Sequence, residues 1–298
     1  MLQSQKQIEQ GFLGSINGLD GKPIYVDLRD ERGRRLIAAA GNFNPPTLAI
    51  WHHLLGEDDW THVIDVGANY GEMLANGKLP RSAQIMAVEP NTRVLPFLKK
   101  TLSGLDGVKL FEVALSDSEG HAEFLMNENW SGLSRIVQGG SEKTMVPTTT
   151  LEHLLKIDGM PLHEMRVLVK IDVEGHEVNV LKGIIDALPF LRNFCALIEI
   201  AHMNETDMIW VIRNFDVYGF NLQPRQFQKI ESLYPKDMKA LCLYDQDVVI
   251  RKRALHLKSQ QNWENPRLAN SGVYPDAQQE NLDHSIGRHA LLQLYLAR

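Results

Sequence analysis

The chain lacks most features that would take it out of the ordinary globular class. It has two cysteines, Cys195 and Cys242, too few for a disulfide framework, and Cys195 stands in an apolar run that reads as core. No apolar run approaches the roughly 20 residues needed to span a bilayer. The opening Met1-Leu2-Gln3-Ser4-Gln5-Lys6 lacks the basic-then-apolar order of a signal peptide. A net charge of −6 gives no basic footprint for nucleic acid. Internal repeats and low-complexity blocks are missing as well. These absences predict a soluble, cytoplasmic protein with a small-molecule partner and neither a nucleic-acid nor a membrane partner. The termini are left as surfaces for a homo-oligomer. What the chain has is length and apolar content: 298 residues, 44% of them hydrophobic, enough for one large domain with appendages.

The most informative stretch is Val63-Ile64-Asp65-Val66-Gly67-Ala68-Asn69-Tyr70-Gly71. An apolar run ends in a small, glycine-bearing turn, and the next apolar run ends in an acidic residue, Glu89. Such a pair holds a nucleotide-type cofactor at the edge of a parallel sheet: glycine lets backbone approach the ligand, and the later carboxylate takes the ribose hydroxyls. The spacing Gly67-x-x-x-Gly71 leaves the pyrophosphate cradle of a dinucleotide fold incomplete. Asp65 would repel a pyrophosphate but suits a ligand carrying an ammonium group. S-adenosylmethionine, with its sulfonium and ammonium, fits that balance; a strand-to-helix turn without a ligand is the plain alternative.

Residues 1–60 read as a lead-in, 61–255 as the cofactor-binding domain, and 256–298 as an extension. In the lead-in, 24–28 and 35–38 flank the polar turn Asp30-Glu31-Arg32-Gly33 and predict a hairpin. Asn44-Pro45-Pro46 opens a helix through Leu55. Then strands at 63–66, 84–89 and 108–115 alternate with helices at 70–76 and 93–102, which implies right-handed crossovers and a parallel sheet. The middle breaks this pattern, with strands at 122–126 and 144–149 around the polar segment 127–132. Thr150 caps a helix at 151–156. Further strands fall at 166–172, 194–200, 220–223 and 247–250, with helices at 178–187 and 207–214. Residues 259–285 are rich in Gln, Asn and Pro and read as irregular, and 290–296 as a terminal helix.

Several segments together resemble the FkbM family of S-adenosylmethionine-dependent methyltransferases. They are Asp65-Val66-Gly67-Ala68-Asn69, Glu89-Pro90-Asn91, Ala114-Leu115-Ser116-Asp117, and above all Lys170-Ile171-Asp172-Val173-Glu174-Gly175-His176-Glu177 followed by Leu181-Lys182-Gly183. The strand at 194–199 continues the match, so the resemblance runs from about 63 to 199 and leaves the first fifty residues and the tail open. It implies a doubly wound, mostly parallel α/β sheet of the Rossmann-like class I methyltransferase kind; the hairpin-and-helix lead-in and the C-terminal extension on either side are read from the residues themselves. It implies S-adenosylmethionine as cofactor and O-methylation of hydroxyls on sugars or secondary metabolites. It also implies Asp65, Gly67, Ala68, Asn69 and Glu89 as cofactor contacts; Gly71 and Asn91 belong to the same two turns.

The residues themselves suggest roles. Glu89 at a strand end can accept both ribose hydroxyls. Ser116 and Asp117 follow the third strand, where an adenine edge would lie, although a Ser-Asp turn is common without a ligand. Asp172, Glu174 and His176 crowd the carboxyl end of a buried strand, where open α/β sheets place their sites. Methyl transfer from a sulfonium needs a positioned oxygen nucleophile and removal of its proton. His176 has the intrinsic pKa of a base. Asp172 and Glu174 are carboxylate candidates, and Glu199, at the end of the next strand, completes the catalytic set. A divalent metal held by Asp172 and Glu174, with Glu199 and His202 completing the site, is the rival activation device. The two-residue step from Asp172 to Glu174 argues for base chemistry without a tightly held metal, because strand alternation sends their side chains apart. The plain reading is that Glu174 and Glu177 cap the next helix.

Asn129, Trp130 and Ser134 offer hydrogen bonds and a ring to an acceptor, in a segment, 127–144, that is expected to be a mobile lid ordering over it; Trp130 packed on the core is the alternative. Met145, Met160 and Met203 read as core filler. Two rival functions stay open: a nicotinamide-dependent oxidoreductase, and a binding protein on the same fold without catalysis.

Overall fold

The computed structural model describes residues 12–137, 143–221, 226–231, 234–236 and 247–253, all within one unit, 1–255. The expected irregular tail and terminal helix lie outside the described residues. The chain enters through a hairpin in which β1 (Leu13–Asn17) pairs antiparallel with β2 (Pro23–Asp27). The segment expected to return as a strand is instead helix α1 (Glu31–Ala38). The Asp30 carboxylate caps it by accepting from the Arg32 amide, and Glu31 pairs with Arg35 one turn on, at 2.6 Å. Both are helical spacings, which the polar look of the turn concealed. Helix α2 (Pro45–Leu55) follows as expected, capped by Asn44 and opened by its prolines.

Strand β3 (His62–Val66) is buried along its whole length. A short helix α3 (Glu72–Ala75), β4 (Gln84–Val88), α4 (Leu95–Leu102) and β5 (Val108–Phe111) follow. The single strand expected at 108–115 is broken in two. After Phe111 the chain leaves the main sheet, and β6 (Ala114–Leu115) pairs parallel with β9 (Thr144–Thr149). With β7 (Gly120–Leu125) and β8 (Arg135–Ile136) these form a separate four-stranded sheet, ordered β6-β9-β7-β8. Met145, expected as core filler, is exposed on β9, because strand alternation turns Val146 inward and its neighbours outward. Met203 is buried, and Met160 packs at the core's edge.

Helix α5 (Leu151–Lys156), capped by the Thr150 hydroxyl, leads to β10 (Arg166–Ile171), α6 (Glu177–Lys182), β11 (Asn193–Glu199) and α7 (Glu205–Asn214). The described strands end with β12 (Phe215–Asn221), β13 (Gln226–Lys229) and β14 (Asp247–Lys252). The main sheet is ordered β13-β12-β14-β11-β10-β3-β4-β5. From β5 to β11 the neighbours run parallel, and β14 joins β11 antiparallel.

Period-2 alternation splits the strand residues into two layers. Ile64 and Val66 join Met86, Val88, Val167, Val169 and Ile171 on one face. Val63 joins Ile85, Ala87, Leu168 and Cys195 on the other. Burial pushes the Cys195 thiol up to about 12, so it is packing rather than a nucleophile. Gly183 of the Leu-Lys-Gly segment is needed for contact: a Cβ there would stand 2.3 Å from the Ser116 carbonyl oxygen.

Candidate active site

Strand order reverses at β3: β4 and β5 lie on one side and β10 and β11 on the other. Open α/β sheets bind ligands at that crevice, outside the carboxyl ends of the strands. Here an open cavity is lined by Gly67 and Asn69 after β3, Glu89 and Pro90 after β4, and Asp172, Val173, Glu174 and His176 after β10. Its apolar wall comes from Val113, just before the small sheet, and from Ala114, Leu115, Phe124 and Ile136 within it.

The turn after β3 winds through left-handed backbone at Gly67 (φ 78°), Asn69 (φ 47°) and Gly71 (φ 81°). Gly67 has a steric reason as well, since a Cβ there would meet the Asp172 carbonyl oxygen at 1.9 Å. Glu89 holds the turn in place. One of its carboxylate oxygens accepts from the Asn69 amide at 2.8 Å, and the other accepts from the Asn91 amide at 2.8 Å. Each oxygen keeps a further lone pair, and Glu89 is among the residues that line the cavity. Burial, against those two amides, pushes this carboxyl up to about 7.

Asp65 stands beneath the turn rather than in the cavity wall. It is 1% exposed, and its Oδ1 lies 3.7 Å from Lys170 Nζ, which also donates to Asp172 at 3.1 Å. Burial raises the Asp65 carboxyl to about 6, with Lys170 opposing. Ala68 is buried beside it, outside the cavity lining. Asp172 behaves oppositely: burial pushes its carboxyl up, but Lys170 and Arg32 outweigh that and hold it below its ordinary value.

The expectation that Asp172 and Glu174 diverge is corrected by the backbone. β10 ends at Ile171, and Glu174 itself adopts left-handed φ (57°), followed by Gly175 (φ 99°). Glu177 holds this reversal, one carboxylate oxygen accepting from the Val173 amide at 3.2 Å and the Gly175 amide at 3.1 Å. Asp172 and Glu174 therefore both line the cavity. Burial and the Asp172 charge push Glu174 up to about 7. His202 Nε2 lies 2.9 Å from Glu174. Burial, then the charges of Asp172 and Glu174, push Glu199 up to about 9, and its Oε2 is buried without a hydrogen-bond partner. Ligand atoms of Glu174, Glu199 and His202 lie within 4.8 Å of one another, a donor set suited to a divalent cation. Asp172, expected in such a set, is instead committed to Lys170.

His176 shares a 3.0 Å hydrogen bond with the Ser116 hydroxyl, and burial depresses its pKa. Ser116 and Asp117 are not among the cavity-lining residues; Asp117 is exposed and accepts from Asn179 at 3.3 Å. The acceptor candidates separate. Ser134 lines the cavity and accepts from the Asn91 side chain at 3.1 Å and the Asn127 amide at 3.0 Å. Asn129 is exposed, and its carbonyl accepts from the Glu31 amide at 3.0 Å. Trp130 packs against Phe43 at 6.1 Å under the Arg35 guanidinium at 4.6 Å.

Sequence reasoning missed the part played by the lead-in. Asp30 reaches the site: it accepts from the Ser131 amide at 3.0 Å, the Ser131 hydroxyl at 2.5 Å and the Tyr70 hydroxyl at 2.7 Å. Arg32 lines the cavity and pairs with Glu72. The one available signal was the acidic-basic run Asp30-Glu31-Arg32, which reads equally well as a surface turn.

A family model described as the Methyltransferase FkbM domain matches residues 65–233, more than half of the chain. The chain is 30% identical over 155 residues to the methyltransferase sdnD of Sordaria araneosa, a match covering 41% of this chain and 60% of that relative. Of solved structures, an S-adenosylmethionine-dependent O-methyltransferase from Thermotoga maritima is similar with TM-score 0.39 and 9% identity, over 83% of this chain and 79% of that one. The precorrin-6y C5,15-methyltransferase from Geobacter metallireducens is similar with TM-score 0.36 and 12% identity, over 69% and 88%. The family match begins at Asp65 under the glycine turn and takes in Glu89, the acidic reversal after β10 and Glu199; this chain belongs to the FkbM family of methyltransferases.

Proposed function

We propose that the chain transfers a methyl group from S-adenosylmethionine to a hydroxyl of a small acceptor, a sugar or a glycosylated secondary metabolite. The observation that carries this reading is that Glu89 and Glu174 line the same cavity. Glu89 keeps lone pairs for two ribose hydroxyls, and Glu174 stands near neutrality beside the ionised Asp172. Bound S-adenosylmethionine supplies a methyl group on a sulfonium, open to in-line displacement by oxygen. The chain's own residues do the rest. Val113, Leu115, Phe124 and Ile136 give the adenine ring an apolar wall. Asp172 matches positive charge in the donor. Glu174, poised at about 7, takes the hydroxyl proton, with His202 behind it at 2.9 Å. His176, tied to Ser116, is the alternative base.

A second means of activation is favoured by one observation: the unpartnered Glu199 oxygen beside Glu174 and His202. A divalent cation there would stabilise both carboxylates in their ionised forms and acidify a bound hydroxyl. One experiment addresses the function. The protein is incubated with methyl-tritiated S-adenosylmethionine and a panel of hydroxylated acceptors, with and without exhaustive chelation. Label in an alkali-stable ether supports the reading. Label on nitrogen or carbon, or calorimetric binding of NAD in place of the methyl donor, overturns it. Activity lost on chelation and restored by Mg²⁺ or Mn²⁺ selects the cation, and activity that survives selects the base.

A further inference from the structure

Arg32 is the second residue of α1 and precedes the family match by more than thirty residues. Its side chain is 16% exposed, pairs with Glu72 through Nη2, and its guanidinium lies 5.4 Å from the centre of the Phe43 ring. A guanidinium carries five N–H donors. Its Nε is buried without a hydrogen-bond partner. Nη1 approaches the glycine at 132, where a Cβ would stand 3.2 Å away. The charges lining the cavity are otherwise unfavourable to an anion: Glu89, Asp172 and Glu174 line it, and Arg32 is the one lysine or arginine among the lining residues. Lys170, the neighbouring buried cation, is taken by Asp65 and Asp172.

The donor brings two cationic centres and one carboxylate. The cationic centres find the acidic groups of the cavity. The carboxylate would be repelled by the same groups and finds a permanent positive charge with spare donors in one place. We infer that Arg32 binds the carboxylate of the donor's methionine half, as a planar fork held in position by Glu72 and Phe43. The N-terminal lead-in is thereby part of cofactor recognition. This rests on S-adenosylmethionine as the methyl donor.

The test compares two ligands on the full chain by calorimetry: S-adenosylmethionine, and its decarboxylated form, which keeps the sulfonium and the ammonium. The wild type is expected to prefer the carboxylate-bearing ligand by about 10-fold or more. Arg32→Gln should bring that ratio close to one while leaving affinity for the decarboxylated ligand in place, which also shows that the site is folded. If Arg32→Gln binds neither ligand, Arg32→Lys decides, and its ratio must fall below that of the wild type because an ammonium lacks the fork. A wild-type ratio near one, or a ratio preserved in the variants, overturns the inference and puts the carboxylate on main-chain amides. Failure of the wild type to bind either ligand removes the donor reading itself, and this inference with it.

Discussion

Glu89 uses one carboxylate for two purposes. Its oxygens fasten the Asn69 and Asn91 amides, which shapes both turns, and the same side chain lines the cavity. A carboxamide has one accepting oxygen and cannot serve both amides. Glu89→Gln is therefore expected to weaken S-adenosylmethionine binding by about 1.5–3 kcal/mol, the scale of a lost charge-assisted hydrogen bond. Calorimetry reads this directly, and an unchanged Kd would remove Glu89 from the donor site. Glu89 was legible in the sequence because an acidic residue ending an apolar run has few structural reasons to be there. Asp65 was equally visible, but its contact with buried Lys170 was not, since that pairing depends on the parallel register of β3 with β10.

At the scale of elements, α1 is the piece whose role the sequence concealed. Asp30 caps it, bonds Ser131 and accepts from Tyr70, so one carboxylate joins the lead-in, the segment after β7 and the turn after β3. The described part of the expected lid is thus tied down at Ser131 and Ser134; residues 138–142 lie outside the described residues. Asp30→Ala should cost about 2–4 kcal/mol, adding a lost cap to two or three buried hydrogen bonds. It should also speed hydrogen exchange of the amides from Asn129 to Ser134. Urea melts and exchange on the same variant check both, and protected amides at Ser131 in the variant would show that Asp30 does not hold that segment. The Asp172–Glu177 reversal is the opposite case. Its residues were legible as a site, while its geometry needed left-handed backbone at Glu174, which alternation rules do not anticipate.

At the scale of the molecule, the site loads the fold with buried carboxyls. Burial raises Glu89 and Glu174 to about 7 and Glu199 to about 9. In the unfolded chain such groups ionise near 4.3. Above that value the fold keeps protons that the unfolded chain has lost, so their contribution is complete at low pH and disappears as pH rises through about 7 to 9. His176, depressed in the fold, acts in the other direction, but its contribution is complete once an unfolded histidine has lost its proton near 6.5. Above pH 7 the carboxyls decide the sign. Protein free of donor and metal is expected to melt at a lower temperature at pH 9 than at pH 7. Scanning calorimetry across that range tests it, and a melting temperature that rises to pH 9 would mean that these groups are ionised in the fold.

The sequence by itself determined the alternation of strands and helices, the glycine turn after β3, the acidic partner after β4 and the dense segment after β10. These are local: each follows from apolar period, from glycine's tolerance of left-handed backbone, or from a charge placed at the end of a buried run. The tertiary structure decided everything that depends on residues distant in the chain. It put Asp65 beneath the turn with Lys170, split 108–115 between two sheets, turned Trp130 onto the lead-in, gathered Glu174, Glu199 and His202, and brought Arg32 into the cavity. Those outcomes are set by strand register and by packing of α1 against the segment after β7, and pairings across a hundred residues leave no period in the sequence to read.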